Sequence, residues 1–254
     1  MAPDAGALAL AVATAAAAGV AGCFAVMRRM TLAADAISHV ALPGIGVAMA
    51  LQLHPLVGAV AMLFFGALLI WALERRARLA TETIIGVVFS SALAVGSLMS
   101  SGEDLVDALF GGAGAASAGE ILFVLAAAAA IIGFLLVRRS ALILHLVSPE
   151  IARTAGIDVA RLDLLYLETF ALTVALGLRY LGVLLMGSLI IIPAATAKRL
   201  ARNLTGMLVT AVALAVASTV IGTYAAAWLR RPTGPLIVCV AAAFFVLSLI
   251  RRPP

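Results

Sequence analysis

Apolar runs of about one bilayer thickness follow one another along this chain, separated by short polar or basic punctuation. They fall at 5–26, 32–53, 56–73, 82–101, 120–137, 162–180, 181–197, 205–229 and 235–250. A helix rises about 1.5 Å per residue and a hydrocarbon core is about 30 Å thick, so about twenty residues make one crossing. Within lipid every backbone polar group must be satisfied internally, and continuous runs of this length select helices over strands. The pattern predicts an all-α polytopic transmembrane helical bundle of about 8–9 spans, in a single membrane domain over 1–254. The count is a range because the pairs 32–53/56–73 and 162–180/181–197 are barely separated.

Composition agrees with this pattern. The chain is 65% hydrophobic and 11% charged, with a mean hydropathy of +1.20, whereas soluble domains are about 45–50% apolar and about 25% charged. The net charge of +5 does not point to nucleic acid, because the basic residues cluster in short connections. Alternating the nine runs across a membrane puts every Lys and Arg except Arg179, Arg230 and Arg231 on one side. The positive-inside rule makes that side cytoplasmic, with the N-terminus outside and the C-terminus inside. The first run lacks the basic lead of a cleaved signal and is expected to be a retained helix. Cys23 and Cys239 lie in apolar runs far apart and are read as small packing residues. The chain has no G-x-x-x-x-G-K-[ST], H-E-x-x-H or G-x-S-x-G, so any ATP-driven step would need another polypeptide.

Ionisable residues inside such runs are costly and mark function by default. Asp35 and His39 lie four residues apart, which on a helix places carboxylate and imidazole on one face. Together they form a partial ligand set for a divalent metal. Pro43-Gly44 follows, and a proline there removes a backbone donor and tends to kink the helix. The plainer reading has Asp35 favouring a helix N-terminus and His39 bonded within the bundle. Glu168 is centred in another run with no basic residue one turn away, and either lines a path or pairs with a different helix. On the basic side, Ser148 can cap a helix, Pro149 suits its first position, Glu150 complements its dipole and Gly156 can end it. A short helix is therefore expected there, with Arg153 on it, either resting on headgroups or docking a cytosolic partner. Glu103, Asp104 and Asp107, with Glu120 nearby, form an acidic outer segment. They are solvated loop charge, the outer mouth of a cation path or a contact for a delivery protein. His54 and His145 are lone histidines at span edges and are read as structural.

Four blocks carry a family resemblance. They are RRMTLAADAISHVALPGIGVAMAL (28–51), TETIIGVVFSSALAVGSLMSS (81–101), YLGVLLMGSLIIIPAATAKRLAR (180–202) and RPTGPLIVCVAAAFFVLSLIRR (231–252). In order and content they resemble the bacterial zinc/manganese ABC-transporter permeases, and most closely the zinc-uptake branch. The resemblance implies an ABC importer permease in the inner membrane, a homodimer among membrane lipid. Its partners would be a cytosolic ABC ATPase subunit and an extracytoplasmic metal-binding protein. It assigns Asp35 and His39 to transient metal coordination and residues 148–158 to ATPase coupling, through Ser148, Pro149, Glu150, Arg153 and Gly156. No permanent cofactor is implied; the cargo is a divalent metal, zinc first, with manganese or iron as alternatives. The chain departs from the family pattern at Arg230-Arg231, Gly112 and Glu168, so Glu168 is a candidate substitute ligand. Two rivals stand beside this reading: an ATP-independent cation transporter or channel relaying through Asp35 and Glu168, and an ABC permease for metal chelates or a vitamin.

Overall fold

A computed structural model describes residues 5–77, 79–99 and 117–250, except for the side chains of 32–35, 99, 179–181 and 183–185. Among the described residues every regular element is a helix. They run α1 (Ala5–Met27), α2 (Thr31–Ala50), α3 (Pro55–Ala77), α4 (Thr81–Met99), α5 (Ala118–Val137), α6 (Arg139–Val147), α7 (Pro149–Thr154), α8 (Val159–Leu181), α9 (Val183–Leu200), α10 (Leu204–Leu229) and α11 (Thr233–Ile250). All but α6 and α7 have at least 18 residues. Six of these are apolar enough to cross a membrane on composition alone. The other three, α2, α8 and α9, carry ionisable residues and pack against several neighbours each.

The expected runs match these helices to within a few residues, with two differences. The second ends at Ala50 rather than 53, because Gln52 takes a left-handed φ of 56°. The Gln52 N–H then bonds the Met49 carbonyl and the Leu53 N–H the Ala48 carbonyl, a C-terminal motif that closes the helix. The second difference is α6, which lies on the basic side where only a connection was expected. The barely separated pair 162–180/181–197 is two helices. Gly182, at φ 74°, reverses the chain between α8 and α9 in a conformation that residues with a Cβ rarely adopt.

The innermost helix is α1, which is surrounded by α5, α8, α9 and α10. Its run of Ala and Gly lets those neighbours approach closely, which is how helices associate where lipid supplies no hydrophobic drive. A methyl group on Gly22 would sit 2.0 Å from the Ile190 carbonyl oxygen. Packed against this centre, α2 touches α1, α3, α4, α8 and α9. Leaving aside α6 and α7, which stay at the basic side, successive helices alternate in direction, so the ends bearing Arg28, Arg75, Arg138, Arg161 and Arg199 gather at one face of the bundle. Arg230 and Arg231 lie at the other.

Candidate functional site

The helix carrying the proposed metal ligands is built into the bundle rather than laid on its edge. On α2, Ile37, Ser38, Val40, Ala41 and Leu42 are buried, and His39 among them is half-buried. Its imidazole meets the Phe89 ring of α4 edge-on, with centroids 5.4 Å apart. His39 is eight residues from Thr31 and eleven from Ala50. That places it about 12 Å in from the basic end of a helix roughly 30 Å long, near the middle. Asp35 belongs to the same helix one turn nearer the basic face, and its side chain lies outside those described. Pro43 stays within the helix, so the bond it would donate to the His39 carbonyl is missing. Beside Pro43 a groove of about 240 Å³ opens between α3 and α4, lined by Val40, Met62, Phe65, Val88 and other apolar groups, with Ser91 the one polar side chain. Such a lining suits hydrocarbon, not an ion.

Glu168 lies nine residues into α8, a depth comparable to that of His39. Its Oε2 is buried with no hydrogen-bond partner among the described residues. The residue as a whole is half-buried, and a buried polar atom without a partner is uncommon enough to need a cause. The helices bearing Glu168 and His39 touch. Among the described residues, however, no three His, Cys, Asp or Glu side chains gather to hold a metal. A closed four-ligand site is therefore not formed by these residues of one chain.

The short basic-side helix is α7. The Ser148 Oγ accepts the Ile151 N–H at 3.3 Å, Pro149 occupies the first turn and Glu150 lies beside the N-terminus. Beyond it Gly156 takes φ 80°, as its position after the helix required. Ala152 is fully buried beneath α7, while Glu150 and Arg153 are exposed. Apolar side chains share that outer surface, with Val147 75% and Ile151 55% exposed. Glu103, Asp104 and Asp107 lie outside the described residues. Glu120 is a capping residue: its carboxylate accepts the Ser117 N–H at 3.0 Å while the Ser117 Oγ accepts the Glu120 N–H at 3.3 Å. The S-x-x-E spacing that signals this capping box was present in the sequence. His54 also caps, its Nδ1 accepting the Leu56 N–H at 3.3 Å at the start of α3. Cys23 and Cys239 are free and lie on different helices.

The basic face holds an ionic group that sequence reasoning did not join up. The Arg28 guanidinium donates to Asp163 Oδ1, and the His145 Nε2 lies 3.0 Å from the same oxygen. A carboxylate only accepts, so the imidazole carries a proton on Nε2. Arg28 also lies over the Tyr166 ring, 4.6 Å from its centroid. The partners are 135 and 18 residues apart in sequence; no local pattern signals such a meeting.

Among the described residues nine helices have at least 18 residues, six of them apolar enough to cross a membrane, and with one strongly basic face they define a multi-pass membrane protein. The chain belongs to the ABC 3 transport family, which it matches over residues 5–252. It is 31% identical over 236 residues to the high-affinity zinc uptake system membrane protein ZnuB of Haemophilus influenzae, covering 91% of this chain and 90% of that protein. Over 240 residues it is 28% identical to the manganese import system permease protein ScaB of Streptococcus parasanguinis, covering 93% and 86%. Other relatives of similar identity are named for iron transport. Among solved structures it is similar to PsaBC from Streptococcus pneumoniae in complex with Fab, with a TM-score of 0.83 at 28% identity over 97% of this chain and 91% of that one. The family resemblance of the four sequence blocks is thereby confirmed, and the protein is an ABC-transporter permease.

Proposed function

We propose that this permease imports a divalent metal ion across the bacterial cytoplasmic membrane, with zinc as its principal cargo. The observation carrying this reading is His39 at the middle of the inner helix α2, one turn from Asp35. Imidazole nitrogen and carboxylate oxygen suit zinc, manganese and iron(II) alike, and relatives are named for each of the three. Two ligands per chain, doubled in a homodimer, hold an ion long enough to pass it on without trapping it. Glu168, at similar depth with an unpaired buried oxygen, is a third contact along the same path, and Glu103, Asp104 and Asp107 concentrate cations at its outer mouth. The N-terminus faces outside and the C-terminus inside, which puts the basic face in the cytoplasm.

In the proposed cycle an extracytoplasmic binding protein delivers the ion, which pauses at Asp35 and His39. Two ATPase subunits then drive alternating access through residues 148–158. What supports that docking role is α7 itself, with exposed Val147 and Ile151 beside Arg153, a mixture typical of contact surfaces. Arg153→Glu is expected to weaken ATPase association about tenfold, the scale of one unfavourable charge at an interface. Co-purification of the ATPase at wild-type yield would remove α7 from that surface.

The cargo is tested by growth of a deletion strain under zinc, manganese and iron limitation, with and without the gene restored. A defect confined to zinc limitation, relieved by added zinc, is expected. A defect relieved by manganese or by chelated iron alone would replace zinc with that cargo. Uptake that persists without any ATPase partner would instead favour an ATP-independent transporter.

A further inference from the structure

We propose that Asp163 is a positioning residue that clasps the coupling segment to the metal-bearing helix, so that movement at α7 is delivered to α2. The inference rests on the reading in Proposed function and adds to it a group to which that reading gives no part. One oxygen, Asp163 Oδ1, receives Arg28 and His145, which come from two separate parts of the chain. Each of those parts is rigidly tied to something that must move in a transport cycle.

Arg28 caps the end of α1. Directly after it Arg29 takes a left-handed φ of 59°, the Arg29 N–H bonds the Val26 carbonyl and the Met30 N–H bonds the Ala25 carbonyl. That pair of bonds closes α1 with little slack, and α2 begins one residue later at Thr31. A displacement of Arg28 is therefore carried into the start of the helix that bears Asp35 and His39. On the other side, His145 lies in the last turn of α6. Ser148 is the only residue between α6 and α7; its N–H bonds the Leu144 carbonyl and its side chain caps α7. A displacement of α7 is carried back to His145 in the same way. Asp163 itself stands on α8, the helix that holds Glu168.

The clasp is sheltered but not packed solid. The side chains of Arg28, His145 and Asp163 are 15%, 11% and 21% exposed, so water screens the contact only in part. Beside it lies a cavity of about 180 Å³ bordered by Met30, Glu74, Thr81 and Pro149. The partners can thus separate or shift into existing space without compressing neighbouring helices. A contact that served only to hold the bundle together would have no need of that room.

The test uses the full transporter in proteoliposomes, with its ATPase and its extracytoplasmic binding protein, and zinc as the probe. Asp163→Asn is expected to lower metal-stimulated ATP hydrolysis and zinc uptake about tenfold, with assembly and unstimulated hydrolysis at wild-type levels. Arg28→Lys, which keeps the charge, is expected to retain most of the stimulation. Arg28→Lys combined with Asp163→Asn should lose no more stimulation than Asp163→Asn alone, because the ion pair through which Arg28 acts is already gone. Stimulation of Asp163→Asn at the wild-type level overturns the clasp, as does loss of the assembled complex, which would make the group a structural tie only. Wild-type transporter without any zinc-stimulated hydrolysis would overturn the proposed function itself, and that outcome is distinct from either of these.

Discussion

His39→Leu reduces metal uptake by about a hundredfold or more while the permease still assembles with its ATPase at wild-type yield. The magnitude follows from coordination: disturbing even the supporting shell of a metal site commonly costs about 10–100-fold, and removing a donor from a set of few costs more. Leucine is the informative choice because it preserves apolar volume. The imidazole packs edge-on against Phe89, 5.4 Å between centroids, among the buried side chains of α2. If His39 served only that packing, leucine would replace it with little loss. Asp35→Asn is the companion change, nearly isosteric but without charge, and it should also abolish uptake. Radioactive zinc uptake into cells, normalised to membrane-inserted permease, gives the readout. Wild-type uptake by both variants would return the pair to the plainer reading, a helix-end charge and a packed histidine.

The depth of this pair decides how much it can do, and sequence left the depth open. A proposed start at residue 32 put Asp35 close to the basic end without saying how far in His39 reached. The start of α2 at Thr31 and its end at Ala50 place His39 near mid-helix and Asp35 only about 6 Å in from the basic end. The two proposed ligands therefore both lie in the half of α2 nearer the basic face, which in the proposed orientation suits an ion leaving toward the cytoplasm.

Helix existence was legible because length and hydropathy act locally: an apolar run of about twenty residues has one way to satisfy its backbone in lipid. The α7 helix was legible for the same reason, since Ser148, Pro149 and Glu150 act within one turn of one another. What escaped was either masked by its surroundings or distant in sequence. Although α6 is amphipathic, only Arg138 separates it from the preceding span, so its apolar residues read as part of a connection. The Glu120 carboxylate was read as part of an acidic outer group although S-x-x-E marked it as a capping residue. In the sequence Asp163, the loop charge Arg28 and the edge histidine His145 carry no local sign of one another. Their meeting depends on how α1, α6 and α8 pack, and one sequence carries no record of that.

The packing that holds α2 in place yields the second large expected effect. Gly58→Val abolishes the folded permease or lowers its stability by more than the usual cost of overpacking, about 1–3 kcal/mol. The helices α2 and α3 run antiparallel and meet at Gly44 and Gly58. A Cβ on Gly58 would stand 2.1 Å from the Gly44 carbonyl oxygen, and one on Gly44 would stand 2.2 Å from that of Gly58. Both obstacles are backbone, so no side chain can swing aside, and the helices themselves must part. Because Gly44 is only five residues beyond His39, parting the helices also moves the proposed metal ligands, so protein that survives should transport poorly. Gly133→Val is the matched control. That glycine lies within α5 and a Cβ there meets nothing within 4 Å, so valine is expected to cost nothing and to gain its modest helix-propensity advantage over glycine. Thermal stability of the detergent-solubilised permease, followed by size-exclusion chromatography after heating, compares the two directly. If Gly58→Val melts with Gly133→Val, the close approach of α2 and α3 does not set the position of His39.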